Sequence, residues 1–257
     1  VQDQGSLKDW YTTEHPEKPD PFLTEIRYPQ TMTTRQRSIR ALLLLAPIPT
    51  LGIASVLIWW PGPVGRSLFS AAKVWLLLFP VLWHLGIDRG RLSLSPVRKG
   101  GLGVGALVGL AMAAVIGATY WLIAVPRIDP AMLRSEVADM GLATPSAYAL
   151  GALYWIFINS VVEEYVFRWF VQSRCETLMP RWIAIGVSAA IFTTHHVVAM
   201  ATFLNPVLTA LASAGVFIGG ATWSWMANRY GSIWPGWVAH ALADVAVFAC
   251  GWHLLFG

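Results

Sequence analysis

Charge is what this sequence has least of. Asp, Glu, Lys and Arg make up 12% of its 257 residues, against the roughly 25% of an ordinary soluble domain. With 56% hydrophobic residues and a mean hydropathy of +0.54, that shortage excludes a water-soluble globule. Cysteine is nearly absent as well. Cys175 and Cys250 stand alone, and neither belongs to a C-x-x-C, so a zinc knuckle or dithiol redox motif is excluded. On the topology below they fall near opposite membrane faces, which rules out a bridge between them; both read as structural thiols. Basic residues interleaved with aromatics are also missing, so nucleic acid is not expected as a partner. Neither repeats nor low-complexity tracts occur. The segment GGLGVGALVG (100–109) has the glycines of a dinucleotide loop but no strand before it. Gly105 and Gly109 therefore read as points of close helix packing, as do Gly215 and Gly219.

What the sequence does have is apolar runs of membrane-spanning length. Seven can be drawn, at about 41–60, 68–87, 102–125, 147–172, 182–203, 206–227 and 233–256, each near the ~20 residues that cross a bilayer core. The fold expected is an all-α polytopic membrane protein. Residues 1–36, polar and without a compact apolar core, read as a cytoplasmic N-terminal arm with no signal peptide, and 37–257 as the transmembrane helical domain. Only Asn205–Pro206 separates the fifth and sixth runs, so these should form an antiparallel pair. The segment DPAMLRSEVADMG, within the polar connection 126–146, suggests a short interfacial helix.

Lys and Arg near the run ends set orientation. Arg27, Arg35, Arg37, Arg40, Arg89, Arg91, Arg98, Lys99, Arg174, Arg181 and Arg229 fall on one side, and only Arg66, Arg127 and Arg134 on the other. The bias predicts a cytoplasmic N-terminus in a bacterial or organellar inner membrane.

Ionisable groups inside such runs are costly, and each is a candidate for function. SVVEEYVFRWF (160–170) carries Glu163, Glu164 and Arg168 in the fourth run. The fifth run holds His195 and His196; the seventh holds His240, Asp244 and His253; the second holds Lys73 and His84. Helical spacing sorts them. Glu164 and Arg168 are four apart and can pair on one face, whereas Glu163 lies about 100° around the helix and gains nothing from that pair. Phe192 and His196 are four apart, and so are His240 and Asp244. Three runs thus present polar groups that can meet at membrane depth.

Their chemistry suits hydrolysis. A carboxylate withdrawn from bulk water is a stronger base toward a water molecule. A neighbouring imidazole can hold that water or protonate a leaving amine. A second imidazole, its tautomer fixed by Asp244, can donate to a developing oxyanion. Lys73 reads instead as a lysine snorkelling to the interface, and His84 and His253 as helix-pinning residues. His195 points about 100° away from His196 and is ambiguous.

EEYVFR (163–168) matches EExxxR, FTTHH (192–196) matches FxxxH, and HALAD (240–244) matches HxxxN/D. In this order on successive apolar segments, the motifs resemble the CAAX protease and bacteriocin-processing family of intramembrane endopeptidases, also called the ABI family. The likeness covers 147–256. It implies a metal-independent glutamate protease with no cofactor, acting on a peptide or lipidated protein among membrane lipids. Carried over by motif position, Glu163 is the base that activates water and Glu164 its supporting carboxylate. Arg168 is the structural partner, His196 helps position the water, and His240 with residue 244 stabilises the oxyanion. Prenyl-processing members carry Asn at that last position, and this chain has Asp244. A carboxylate there repels an oxyanion unless it is protonated or turned toward His240.

Three other readings compete. Two histidines and two carboxylates can ligate zinc, although no HExxH is present. The chain can be a non-catalytic, protease-like subunit or assembly factor of a larger membrane complex, its 14 tryptophans packing against pigment or haem. Intramembrane Glu and His can also relay protons in a transporter, but no repeated pair of broken spans supports that.

Overall fold

Proline starts many of these helices. Pro63, Pro130, Pro145, Pro206 and Pro235 all sit at the first or second helical position, where a missing N–H costs nothing. In the computed structural model, which describes residues 32–91, 95–96 and 101–257, seven helices have the length and apolarity of membrane spans. They run Thr34–Trp59, Pro63–Gly86, Gly101–Arg127, Pro145–Glu176, Arg181–Phe203, Pro206–Tyr230 and Trp234–Phe256. No strand occurs among the described residues. The chain is an all-helical integral membrane protein, and its residues from Thr34 onward cluster as a unit. The expected N-terminal arm lies outside the described residues up to position 31, as do Arg98 and Lys99. The first span is helical from Thr34.

Local chemistry explains the boundaries. Asn205 accepts from the backbone N–H groups of Val207 and Leu208, capping the sixth span at the tight turn that the Asn–Pro pair predicts. Thr144 caps the fourth span by accepting from Ala147 N. The sixth span ends at Gly231, whose φ of 59° is the left-handed conformation of a C-terminal glycine cap. Between spans three and four, Pro130–Asp139 forms the expected short helix, with Asp129 capping Ala131 N.

Large apolar side chains cover the outside. Leu43, Leu107, Leu122, Leu150, Trp182 and Val207 are all at least two-thirds exposed, the surface of a protein solvated by lipid. Between helices in lipid the attraction is close packing more than a hydrophobic force. Span three accordingly lies along span seven through Gly101, Gly105 and Gly109, one turn apart. A Cβ on Gly105 would run into the Pro235 carbonyl oxygen, and one on Gly109 would come within 2.9 Å of Ala239 Cα. The other expected pair turns out differently. Gly215 faces open space, and Gly219 meets only Trp223 of its own helix. Gly220 makes the close approach, against Phe192 and Ala189 of span five. Gly105→Val should therefore separate spans three and seven and cost about 1–3 kcal/mol. Thermal denaturation in detergent should show this loss for Gly105→Val and none for Gly215→Ala.

Polar contacts tie the remaining spans together. Thr50 and Thr194 share a 3.0 Å hydrogen bond between spans one and five. Tyr165 donates to the Leu77 carbonyl of span two at 3.2 Å, near the turn that Pro80 interrupts. Arg174 pairs with Asp88. Cys175 is buried, Cys250 half-buried, and both are free thiols.

Candidate functional site

The fourth span is not a uniform α-helix. Widened, π-helical turns run over Tyr154–Asn159 and again over Tyr165–Val171. The two glutamates sit in the single α-helical stretch between them, Ser160–Glu164. Such turns are uncommon and concentrate at functional sites, because they shift which side chains share a face. Neighbouring side chains hold this geometry. Ser188 of span five donates to the Phe167 carbonyl at 3.2 Å, and Trp237 Nε1 of span seven donates to Ser160 Oγ at 3.0 Å.

Glu164 faces the protein interior, and its side chain is wholly buried. Its Oε2 lies 3.4 Å from Arg168 Nε, the pairing expected from their spacing. Its Oε1 accepts from His240 Nδ1 at 3.1 Å. Arg168 is enclosed by rings: its guanidinium carbon lies 4.7 Å from the Phe192 centroid and 5.5 Å from that of Trp223. A cation over π faces recovers part of the solvation it has lost. Gly236 leaves room for the carboxylate, since a Cβ there would come within 2.9 Å of Glu164 Oε2.

Glu163 faces a small cleft of about 30 Å³, room for a water molecule. Phe69, Lys73 and Leu76 of span two, Pro49 of span one, and His195 line it with the carboxylate. Its Oε1 accepts from Asn159 Nδ2 at 2.8 Å and lies 3.9 Å from His195 Nε2. Its Oε2 lies 3.7 Å from His240 Nε2. Glu163, which gains nothing from the Glu164–Arg168 pair, thus has a partner of its own on the same helix, Asn159 one turn before it. The spacing of four that pairs Glu164 with Arg168 runs forward along the helix. The same rule applied backward through IFINSVVEE finds the asparagine.

His240 joins the two carboxylates. Its ring stacks on Trp223, with centroids 3.9 Å apart and planes 12° from parallel. A carboxylate can only accept, so the bond to Glu164 fixes the proton on Nδ1. Glu164, and not Asp244 as expected, thus sets the tautomer. Asp244 Oδ2 lies 3.7 Å from the other ring nitrogen, Nε2. The Asp244 carboxylate is turned toward His240, which is one of the two conditions under which it is tolerated beside an oxyanion.

The two adjacent histidines divide differently from the expectation. His195 is the one whose Nε2 approaches Glu163. His196 Nδ1 lies 3.1 Å from the Phe192 carbonyl, and its ring is 4.1 Å from that of His195. Together Glu163, His195 and His196 bring three possible ligand atoms within 4.8 Å of one another. A tetrahedral zinc holds its ligands at about 2.0–2.2 Å, so the 3.9 Å between Glu163 and His195 would have to shorten to share one ion. Lys73 does not snorkel away. Its Nζ donates to Asn159 Oδ1. His253 has the pinning contact expected of it, with Tyr120 of span three; His84 Nε2 lies 3.2 Å from the Arg91 carbonyl just beyond its own helix, and its ring meets Trp169 of span four edge-on.

Residues 145–246 match the family described as Rce1-like, type II CAAX prenyl endopeptidase. The matched segment opens at the start of the fourth span and ends just past Asp244, so it contains all three motifs. It agrees with the resemblance that the motifs carry, and it leaves the first three spans unmatched. No curated protein and no solved structure matches the chain.

Proposed function

We propose that the chain is an intramembrane endopeptidase of the CAAX-protease type that hydrolyses a peptide bond of a membrane-associated substrate without a metal ion. The observation that carries this reading is the convergence of His195 and His240 on Glu163, which lines a cleft with His195, while Glu164 and Arg168 are buried behind them.

The residues divide the work. Glu163 takes a proton from a water held between it and the His195–His196 pair. The water oxygen attacks the scissile carbonyl carbon, and the carbonyl oxygen becomes the oxyanion. Protonated at Nε2, His240 donates to that oxyanion, while Asp244 and Glu164 balance the imidazolium from either side. Glu163 then delivers its proton to the amine nitrogen as the C–N bond breaks. Arg168 holds Glu164 in place, so that His240 stays aimed. The excess of Arg and Lys on the N-terminal side supports an N-terminus in the cytoplasm and an inner-membrane location. The substrate is a peptide or lipidated tail reaching the cleft between spans one, two, four and five. In proteoliposomes, a lipidated peptide should be cut by the unaltered chain and left whole by the Glu163→Gln variant.

One observation favours a second reading, the Glu163–His195–His196 cluster as a metal site. Metal analysis of the purified protein separates the two. The metal-independent reading expects zinc well below one equivalent and cleavage unchanged by a strong chelator. Stoichiometric zinc, with activity lost on chelation and restored by the ion, would favour the cluster as ligands.

A further inference from the structure

We infer that Lys73, on the second span, is a positioning residue for Glu163, acting through the side-chain amide of Asn159. The inference rests on the reading of Glu163 as the base. Lys73 lies outside the segment matched to the family, and Asn159 is in none of the three motifs.

The hydrogen bonds run in series. Lys73 Nζ donates to Asn159 Oδ1, and Asn159 Nδ2 donates to Glu163 Oε1 at 2.8 Å. An ammonium has donors only, an ionised carboxylate has acceptors only, and an amide has one end of each kind. The orientation of Asn159 is therefore fixed from both sides. Turned over, it would set its NH₂ against the ammonium and its carbonyl oxygen against the carboxylate. Removing the lysine frees the amide to turn, and the carboxylate loses its fixed donor.

The amide also keeps cation and anion from meeting directly. A lysine bonded straight to Glu163 would neutralise the base and cover an oxygen that must accept a proton. With Asn159 between them, Glu163 receives one hydrogen bond at Oε1. Its Oε2 remains directed toward His240, and the carboxylate still lines the cleft with His195 and Lys73. Phe69, one turn before Lys73, lies 5.5 Å from the ammonium and adds a π face to its surroundings. Spans one to three are then more than a frame for the matched segment, because span two supplies a charge that aims the base.

The test uses the full chain in proteoliposomes with Lys73→Met, Lys73→Arg, Asn159→Leu and the double variant Lys73→Met/Asn159→Leu. The first readout needs no turnover: the infrared carboxylate stretch of Glu163, identified as the band lost in Glu163→Gln. It should move in Lys73→Met and in Asn159→Leu, stay in place in Lys73→Arg, and move no further in the double variant. The second readout is cleavage. In Lys73→Met, kcat should fall about tenfold or more with KM unchanged, and the double variant should be no slower than the slower single one. A Glu163 band and a kcat both unchanged in folded Lys73→Met would overturn the inference, as would effects that multiply in the double variant. Should Lys73→Met fail to fold, Asn159→Leu carries both readouts. If the unaltered chain cleaves nothing, the peptidase reading fails, and the infrared band still decides whether Lys73 positions Glu163.

Discussion

Glu163→Gln should abolish turnover and leave the protein folded. The substitution keeps the shape of the side chain and an oxygen to accept from Asn159 Nδ2, but an amide cannot take the proton of the attacking water. A general base is worth about 10²–10⁴-fold in rate, so kcat should fall by that factor at least. Binding in the cleft is untouched, so KM should change little. Stability should hold because Lys73 reaches Glu163 only through Asn159, so the substitution breaks no direct ion pair with a lysine or arginine among the described residues. Glu163 meets an amide, two imidazoles and a cleft. Initial rates in proteoliposomes, with melting curves on the same samples, read both halves of the prediction. A variant that unfolds, or one that cleaves at the unaltered rate, contradicts it.

Glu164→Ala should do the opposite and remove the fold before the chemistry is reached. Glu164 and Arg168 side chains are both wholly buried, 3.4 Å apart. Deleting one partner of such a pair strands the other charge in a low-dielectric interior, which costs about 3–5 kcal/mol. It also removes the acceptor for His240 Nδ1. Most native stability margins are only about 5–15 kcal/mol, so the yield of folded protein should drop sharply. Replacing both, as Glu164→Leu with Arg168→Met, leaves no uncompensated charge and should recover stability relative to either single change. It should not recover cleavage, because His240 loses the acceptor that sets its tautomer. Adjacent glutamates thus give opposite signatures: Glu163 governs rate and Glu164 governs folding. Equal loss of folded protein in the two single variants would contradict this division.

Much of this was legible in the sequence, for reasons that differ from element to element. Runs of some twenty apolar residues have few alternatives to membrane helices, and the Asn205–Pro206 turn fixed the junction of spans five and six, whereas the second span begins at Pro63, earlier than its apolar run suggests. The Glu164–Arg168 pair is local, four residues apart, and needs no tertiary knowledge. The widened turns of the fourth span left no signal, because no proline or glycine marks them within Tyr154–Asn159 or Tyr165–Val171. Which of His195 and His196 approaches Glu163 depends on how span five is rotated, and adjacent residues differ there by about 100°. Lys73 was read as snorkelling because its partner sits 86 positions away, and one helix's composition cannot reveal a partner on another. The Gly215–Gly219 spacing had the form of a packing motif, but the rotation of span six turned Gly220 toward its neighbour instead.

The most direct test of Glu163 as the base of an intramembrane peptidase is a cleavage experiment in isotopically heavy water. Purified chain in proteoliposomes is incubated with membrane-protein and lipidated-peptide substrates in H₂¹⁸O with a chelator present, and new C-termini are sequenced by mass spectrometry. The account predicts new termini carrying one heavy oxygen with the unaltered chain and none with Glu163→Gln. No new termini with the unaltered chain, or the same labelled termini with Glu163→Gln, would contradict it.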